Sequence, residues 1–163
     1  MPYSKKVIDN FRDPKNYGKL KKADGVGRVG NVFCGDLMWL YLKVENETIK
    51  DIKFETFGCV AAIASSEAIT ELAKEKSISE ALKLTKQEVV DELGELPPIK
   101  LHCSVLAIDA LQEAIYDYLK KNKKKIPKEL KKKHQLLEKQ RKMIEEKYKD
   151  WINKEEQAHE KGD

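Results

Sequence analysis

The sequence predicts an α+β fold: a small antiparallel β-sheet with helices packed on one face, plus a C-terminal amphipathic helix. Three observations carry that prediction. Between residues 37 and 57 two β-rich runs, the second alternating apolar and charged residues, flank a polar turn. From residue 59 the apolar period lengthens to that of a helix. Beyond Pro127, Leu130, Leu137, Ile144 and Trp151 recur every seventh residue in an otherwise charged stretch.

The elements follow in order. Ser4 to Phe11 predicts a short helix with Val7, Ile8 and Phe11 on one face, broken by Asp13-Pro14. Five of the eight glycines then fall between positions 18 and 35, a loop-like stretch ending at Cys34, of which Gly27 to Val32 can supply a strand. Leu37 to Val44 and Ile49 to Phe57 form a hairpin around the turn Glu45-Asn46-Glu47-Thr48, with one buried face. The small-residue run after Cys59 is helical, with Ile63, Ile69 and Leu72 as core contacts. Two capping boxes, Ser77 with Glu80 and Thr85 with Glu88, each open a helix. Leu96 to Lys100 contains Pro97-Pro98 and is expected to be extended and exposed. A long helix is expected from Cys103 through Lys120, with Val105, Ile108, Leu111, Ile115 and Leu119 inward. In the last helix Leu136, Met143 and Tyr148 lie beside the sevenfold stripe.

The 163 residues suffice for one domain with a core and an appendage. Charge divides them. Residues 121–163 hold 15 Lys/Arg against 9 Asp/Glu, whereas residues 1–120 hold 17 against 19, so the basic character belongs to the tail. Three cysteines, an odd number, argue against a disulfide framework, and no run approaches the ~20 apolar residues of a membrane span. A reducing, cytoplasmic setting is expected.

The cysteines stand in three contexts, each at a turn or a helix start: Phe33-Cys34-Gly35-Asp36, Phe57-Gly58-Cys59 and Leu101-His102-Cys103-Ser104. None is part of a Cys-x-x-Cys pair, which excludes zinc knuckles and thioredoxin-type couples. A lone cysteine is ordinarily an inert buried residue. Three of them beside turns, with Asp36 and His102 as neighbours, are enough for one four-coordinate soft-metal site drawn from distant segments. A helix N-terminus favours thiolate at Cys59 and Cys103. A nucleophilic pair of His102 and Cys103 is disfavoured, because sequence neighbours diverge by about 100° on a helix.

Three stretches go further than chemistry by residue type. The motif at 33–36, Thr56 to Ser66, and Leu96 to Ser104 resemble, in order, the IscU-type iron–sulphur cluster assembly scaffolds, the NifU N-terminal domain family. Tyr3 to Asn10 and Asp13 to Asn16 resemble that family's N-terminus, so the likeness runs over residues 3–120. It implies that Cys34, Cys59 and Cys103 hold a transient [2Fe-2S] cluster, with Asp36 or His102 completing the ligand set. A carboxylate is a weaker partner than a thiolate for a soft cluster, which suits a donor. The likeness also implies iron and persulfide sulphur as inputs, the sulphur coming from a cysteine desulfurase; Cys103 is the expected acceptor, because its helix-start position favours thiolate. Leu96, Pro97, Pro98, Ile99 and Lys100 resemble the segment gripped by an Hsp70-type chaperone with its co-chaperone, Ile99 standing for valine. Apo iron–sulphur proteins are the implied recipients. No enzymatic turnover is expected.

The chain departs from the family pattern at Val60-Ala61, where glycine and serine are common, and in its tail. Between Cys59 and Cys103 it lacks the insertion of the zinc-dependent SufU branch. Residues 1–122 are expected to form the scaffold domain and 123–163 a charged helical extension, serving as an intramolecular brace or a homodimer seam. Interspersed glutamates argue against nucleic acid as its partner, and no membrane partner is expected. The alternative function is a zinc-dependent persulfide acceptor and relay, with zinc in the cluster-free site. A structural zinc protein is the third reading.

Overall fold

A computed structural model describes residues 3–31, 35–147, 149, 154 and 157. Its sheet has three antiparallel strands in the order β1 (Gly25–Gly30), β2 (Leu37–Glu45) and β3 (Thr48–Phe57). The register pairs Gly30 with Leu37 and Leu37 with Phe57, so one end of the sheet gathers the ends of all three strands. A bulge at Lys43/Val44 shifts the pairing near the hairpin turn. The outer edge of β3 is occupied by the loop at Asn16 to Gly18, whose Gly18 N–H donates to the Phe54 carbonyl at 2.8 Å.

Helix α1 (Lys5–Arg12) is capped by Ser4, whose hydroxyl accepts from the Val7 N–H and donates to the Leu93 carbonyl. Its buried residues are Val7 and Asn10, whereas Phe11 is exposed, because the Asn10 amide reaches the Ala64 carbonyl at 3.3 Å. Helix α2 (Val60–Ala73) is central and almost wholly buried. Its small residues, Ala61, Ala62, Ala64, Ala68 and Ala73, admit close neighbours on several sides, so Ile63 and Leu72 are only half-buried while Ile69 is buried. Both capping boxes form, opening α3 (Ile78–Ala81) and α4 (Lys86–Leu93).

The Leu96–Lys100 segment differs from the extended loop expected. Pro98 to Lys100 makes a single 3-10 turn, and the ring of Pro98 costs nothing at its first position, where no donor is needed. Leu96 is buried and Ile99 is 78% exposed. The long helix α5 (Leu101–Lys121) follows at once, two residues earlier than the sequence suggests. It lies across β1, where Gly25 and Gly27 permit the approach: a Cβ on either would stand 2.4 or 2.3 Å from a carbonyl oxygen of Ala114 or Ala110. Val105, expected inward, faces solvent.

Helix α6 (Lys128–Lys147) runs back along α5 and past β1. Leu130 and Leu137 join the main core, made by Met38, Leu40 and Leu42 of β2 with α2 and α5. Ile144 instead joins Leu37, Trp39 and Tyr41 on the other sheet face. The hairpin therefore has two covered faces along β2, not one, because the terminal helix supplies the second cover. Each of these three α6 side chains contributes about 1.5–3 kcal/mol by leaving water. Leu136 and Met143 are exposed, and Tyr148 and Trp151 lie outside the described residues. Polar contacts add direction: Lys133 pairs with Asp109 at 2.7 Å, and His134 Nδ1 meets Glu113 Oε2 at 2.7 Å while its ring stacks on Tyr116. No helix among the described residues is long and apolar enough to cross a membrane.

Candidate metal centre

The sheet end that gathers Gly30, Leu37 and Phe57 also carries the ligating side chains. Asp36 immediately precedes β2, Cys59 is the N-cap of α2, and Cys103 is the third residue of α5. One ligand atom from each lies within 4.8 Å of the others. Cys59 Sγ stands 3.9 Å from Cys103 Sγ and 3.9 Å from Asp36 Oδ2. For a tetrahedral ion with metal–sulphur bonds of ~2.3 Å, adjacent sulphurs sit roughly 3.8 Å apart, so the two thiols are spaced to share one metal.

Local structure explains the convergence. Gly35 takes a positive φ of 73°, and its N–H donates to the Asn31 carbonyl, while the Asn31 N–H donates to the Asp36 carbonyl at 2.9 Å. These bonds close the loop between β1 and β2 and fix Asp36 at its exit. Gly58 leaves the space that the carboxylate uses, since a Cβ there would meet Asp36 Cγ and Oδ2 at 3.0 Å. Gly58 is a site residue that the sequence reading passed over. Its signal was a glycine directly before a ligand candidate, which marks a close approach as readily as a turn.

Burial grades the ligands. Cys103 is fully buried and Asp36 nearly so, whereas Cys59 is half-exposed. The Cys59 thiol is pulled down to about 5, chiefly because Cys103 donates its S–H to it. The amides of Ala62 and Ala61 at the start of α2 and the Lys100 ammonium add to this, against the effect of burial. Cys59 is thus a thiolate at neutral pH, and it raises Lys100 in return.

His102 Nε2 lies 3.5 Å from Cys103 Sγ. The divergence expected of helical neighbours is overcome in the first turn of α5, where the imidazole is long enough to swing back to the thiol. The structure therefore brings together four of the five residues singled out from the sequence: Asp36, Cys59, His102 and Cys103. Cys34 lies outside the described residues. A cleft of about 590 Å³ opens elsewhere, between β1, α5 and α6, beside Arg28, Trp39, Tyr116 and Arg141.

Two sulphurs and a carboxylate, set one coordination sphere apart at the end of a three-stranded α+β sheet, give a small domain with the donor set of a thiolate-type metal site. A family model for the NifU-like N terminal domain matches residues 2–125. The chain belongs to that family. It is 59% identical over 122 residues to the iron-sulfur cluster assembly scaffold protein IscU 1 of Archaeoglobus fulgidus, covering 75% of this chain and 80% of the relative. It is 52% identical over 122 residues to the protein named IscU scaffold in Haemophilus influenzae, covering 72% and 96%. Among solved structures, an iron-sulfur cluster assembly scaffold protein for the SUF system from Fervidobacterium islandicum superposes with a TM-score of 0.60 at 25% identity, covering 69% of this chain and 96% of that one.

Proposed function

We propose that the protein is an iron–sulphur cluster assembly scaffold that builds a transient [2Fe-2S] cluster as its cargo and passes it to apo-proteins. The observation that carries this reading is the triangle of Asp36, Cys59 and Cys103 at the sheet end, with His102 beside it. Cys34, Cys59 and Cys103 supply thiolates, and Asp36 or His102 supplies the replaceable fourth contact. A carboxylate there weakens the grip on a soft cluster, which favours release.

Cys103 is the proposed acceptor of sulphur. His102, at 3.5 Å, takes the thiol proton that Cys103 otherwise directs at Cys59, and the thiolate attacks the outer sulphur of a desulfurase persulfide. The persulfide moves to Cys103, the desulfurase cysteine leaves as thiolate, and the total oxidation level is unchanged. The neighbouring Cys59 thiolate stands ready to bind iron as it arrives.

Handover is served by the exposed apolar residues flanking the ligands in the chain: Phe57, Ile99, Leu101 and Val105. Leu96 is anchored in the core while Pro98 and Ile99 protrude, so the Leu96–Lys100 segment is presented as a short peptide for an Hsp70-type chaperone and its co-chaperone. In this scheme residues 1–122 carry the cluster chemistry, residues 123–163 form an added extension, and the protein works in the cytoplasm with a cysteine desulfurase.

The test is anaerobic reconstitution with a cysteine desulfurase, ferrous iron, cysteine and a dithiol reductant that takes persulfide sulphur to sulphide, followed by visible spectroscopy, metal analysis and transfer to an apo-ferredoxin. About two irons and two sulphides per chain or dimer, passed on to the ferredoxin, are expected. A colourless protein holding about one zinc, and stimulating the desulfurase only with zinc present, would sink the cluster reading in favour of a persulfide relay. Asp36→Ala is expected to hold its cluster longer; an unchanged lifetime would assign the labile contact to His102.

A further inference from the structure

The loop that ends in Asp36 is bounded by Gly30, the last residue of β1, and Leu37, the first of β2, which face each other in the register. Helix α6 reaches this pair with one side chain. A Cβ placed on Gly30 would lie 3.1 and 3.2 Å from Ile144 Cγ1 and Cβ, and 3.1 Å from Leu37 Cδ2, so Ile144 rests directly on the Gly30 backbone and against Leu37. Ile144 is itself buried. Its position is fixed by ions at the adjoining residue: Glu145 Oε1 accepts from Arg28 Nε of β1 at 2.9 Å and from an Arg141 terminal nitrogen at 3.1 Å. The contact joins the C-terminal helix, which lies beyond the matched family region, to both ends of the ligand loop.

We propose that Ile144 is a positioning residue for the metal centre: seated on Gly30 and Leu37, it holds the loop ends and so fixes where Asp36 meets Cys59 and Cys103. The geometry is that of an outer support. Leu37 is held on its other sides as well, since Thr56 Oγ1 donates to its carbonyl at 2.7 Å and Phe57 pairs with it across β3. Removing Ile144 frees one face of a residue adjacent to a ligand without touching any ligand. Leu137, one heptad earlier on the same helix, is equally buried but packs in the main core away from the loop. The proposal rests on the metal-binding reading above.

The experiment titrates full-length protein anaerobically with Co²⁺ and records the ligand-field bands, alongside amide exchange at Asn31 and Gly35 in the metal-free state. Wild type, Ile144→Ala, Ile144→Val and Leu137→Ala are compared, with thermal unfolding of each. Ile144→Ala is expected to weaken Co²⁺ binding roughly tenfold, as loss of outer support typically does. It should also shift the bands and speed exchange at both amides. Ile144→Val should weaken binding to an intermediate degree, and remains informative if the alanine variant folds poorly. Leu137→Ala should lower the melting temperature yet leave affinity and bands in place. If Ile144→Ala and Leu137→Ala affect Co²⁺ alike, Ile144 only fills the core and the proposal fails. If wild type itself takes up no Co²⁺, the metal-binding reading fails first and this one with it.

Discussion

Cys59 Sγ and Cys103 Sγ stand 3.9 Å apart with no bond between the sulphurs, one capping α2 and the other in the first turn of α5. The separation is too long for a disulfide bond of ~2.05 Å and short enough to become one after a small shift of two helix starts. In a Cys34→Ser background, a diazene oxidant such as diamide is expected to join them, taking two electrons and two protons to become a hydrazine. Peptide mapping should find the Cys59–Cys103 linkage, and prior loading with zinc should block it. Recovery of only mixed oxidant adducts would show that the thiols do not approach each other in solution.

Gly58 makes room for the Asp36 carboxylate. Gly58→Ala puts a methyl 3.0 Å from both Asp36 Cγ and Ala62 Cβ, so the carboxylate must turn away from Cys59. Zinc affinity should fall by roughly tenfold, a typical outer-support loss. A competition titration with a chromophoric chelator measures it, and unchanged affinity would mean that Asp36 has room to spare.

Glu67 is buried within α2, and burial lifts its carboxyl to about 7 from an ordinary 4.5. The Asn16 amide opposes the shift by donating to it at 2.9 Å, whereas Glu71 reinforces it. The folded state therefore binds this proton more tightly than the unfolded one. Stability from this group is fully present below pH ~4.5 and is lost as pH rises through about 7, on the order of 1–3 kcal/mol. Urea unfolding of wild type and Glu67→Gln at pH 5 and pH 8 should show the variant gaining relative stability at the higher pH. A constant difference between the two proteins would rule out this titration.

His134 holds α6 to α5 through its contact with the buried Glu113 and its stack on Tyr116, with rings 3.8 Å apart. His134→Phe keeps the stack and removes the partner of the Glu113 carboxylate. It should cost about 1–3 kcal/mol, the penalty of leaving a buried polar group unsatisfied. Adding Glu113→Leu should recover much of that loss. A double-mutant cycle in urea with no coupling would show that the stack alone holds the helix.

The strands, capping boxes and cysteine contexts were legible because each has a local cause: alternation at 49–57, Ser77 and Thr85 with their glutamates, glycines before or after sulphur. What escaped depends on tertiary partners. Val105 sits at a helical core position, yet faces solvent because α5 begins at Leu101 and its first turn serves the site. Asn10 displaces Phe11 from the core through a bond to Ala64, 54 positions away. The swing of His102 toward Cys103 belongs to a long side chain at a helix end, where angular spacing is a poor guide. Burial of the second face of β2 needed knowledge that α6 returns to the sheet.

The absence of side chains at Gly25 and Gly27 has a reach well beyond those positions. Helix α5 is a 21-residue rod resting on their backbones near Ala110 and Ala114, with Cys103 at its near end. At ~1.5 Å per residue, the cysteine projects roughly 10 Å past the contact at Ala110. A methyl inserted beneath Ala110 would press the helix away from β1 and shift the sulphur relative to Cys59. Two residues with no chemistry of their own thus bear on where Cys103 stands relative to Cys59.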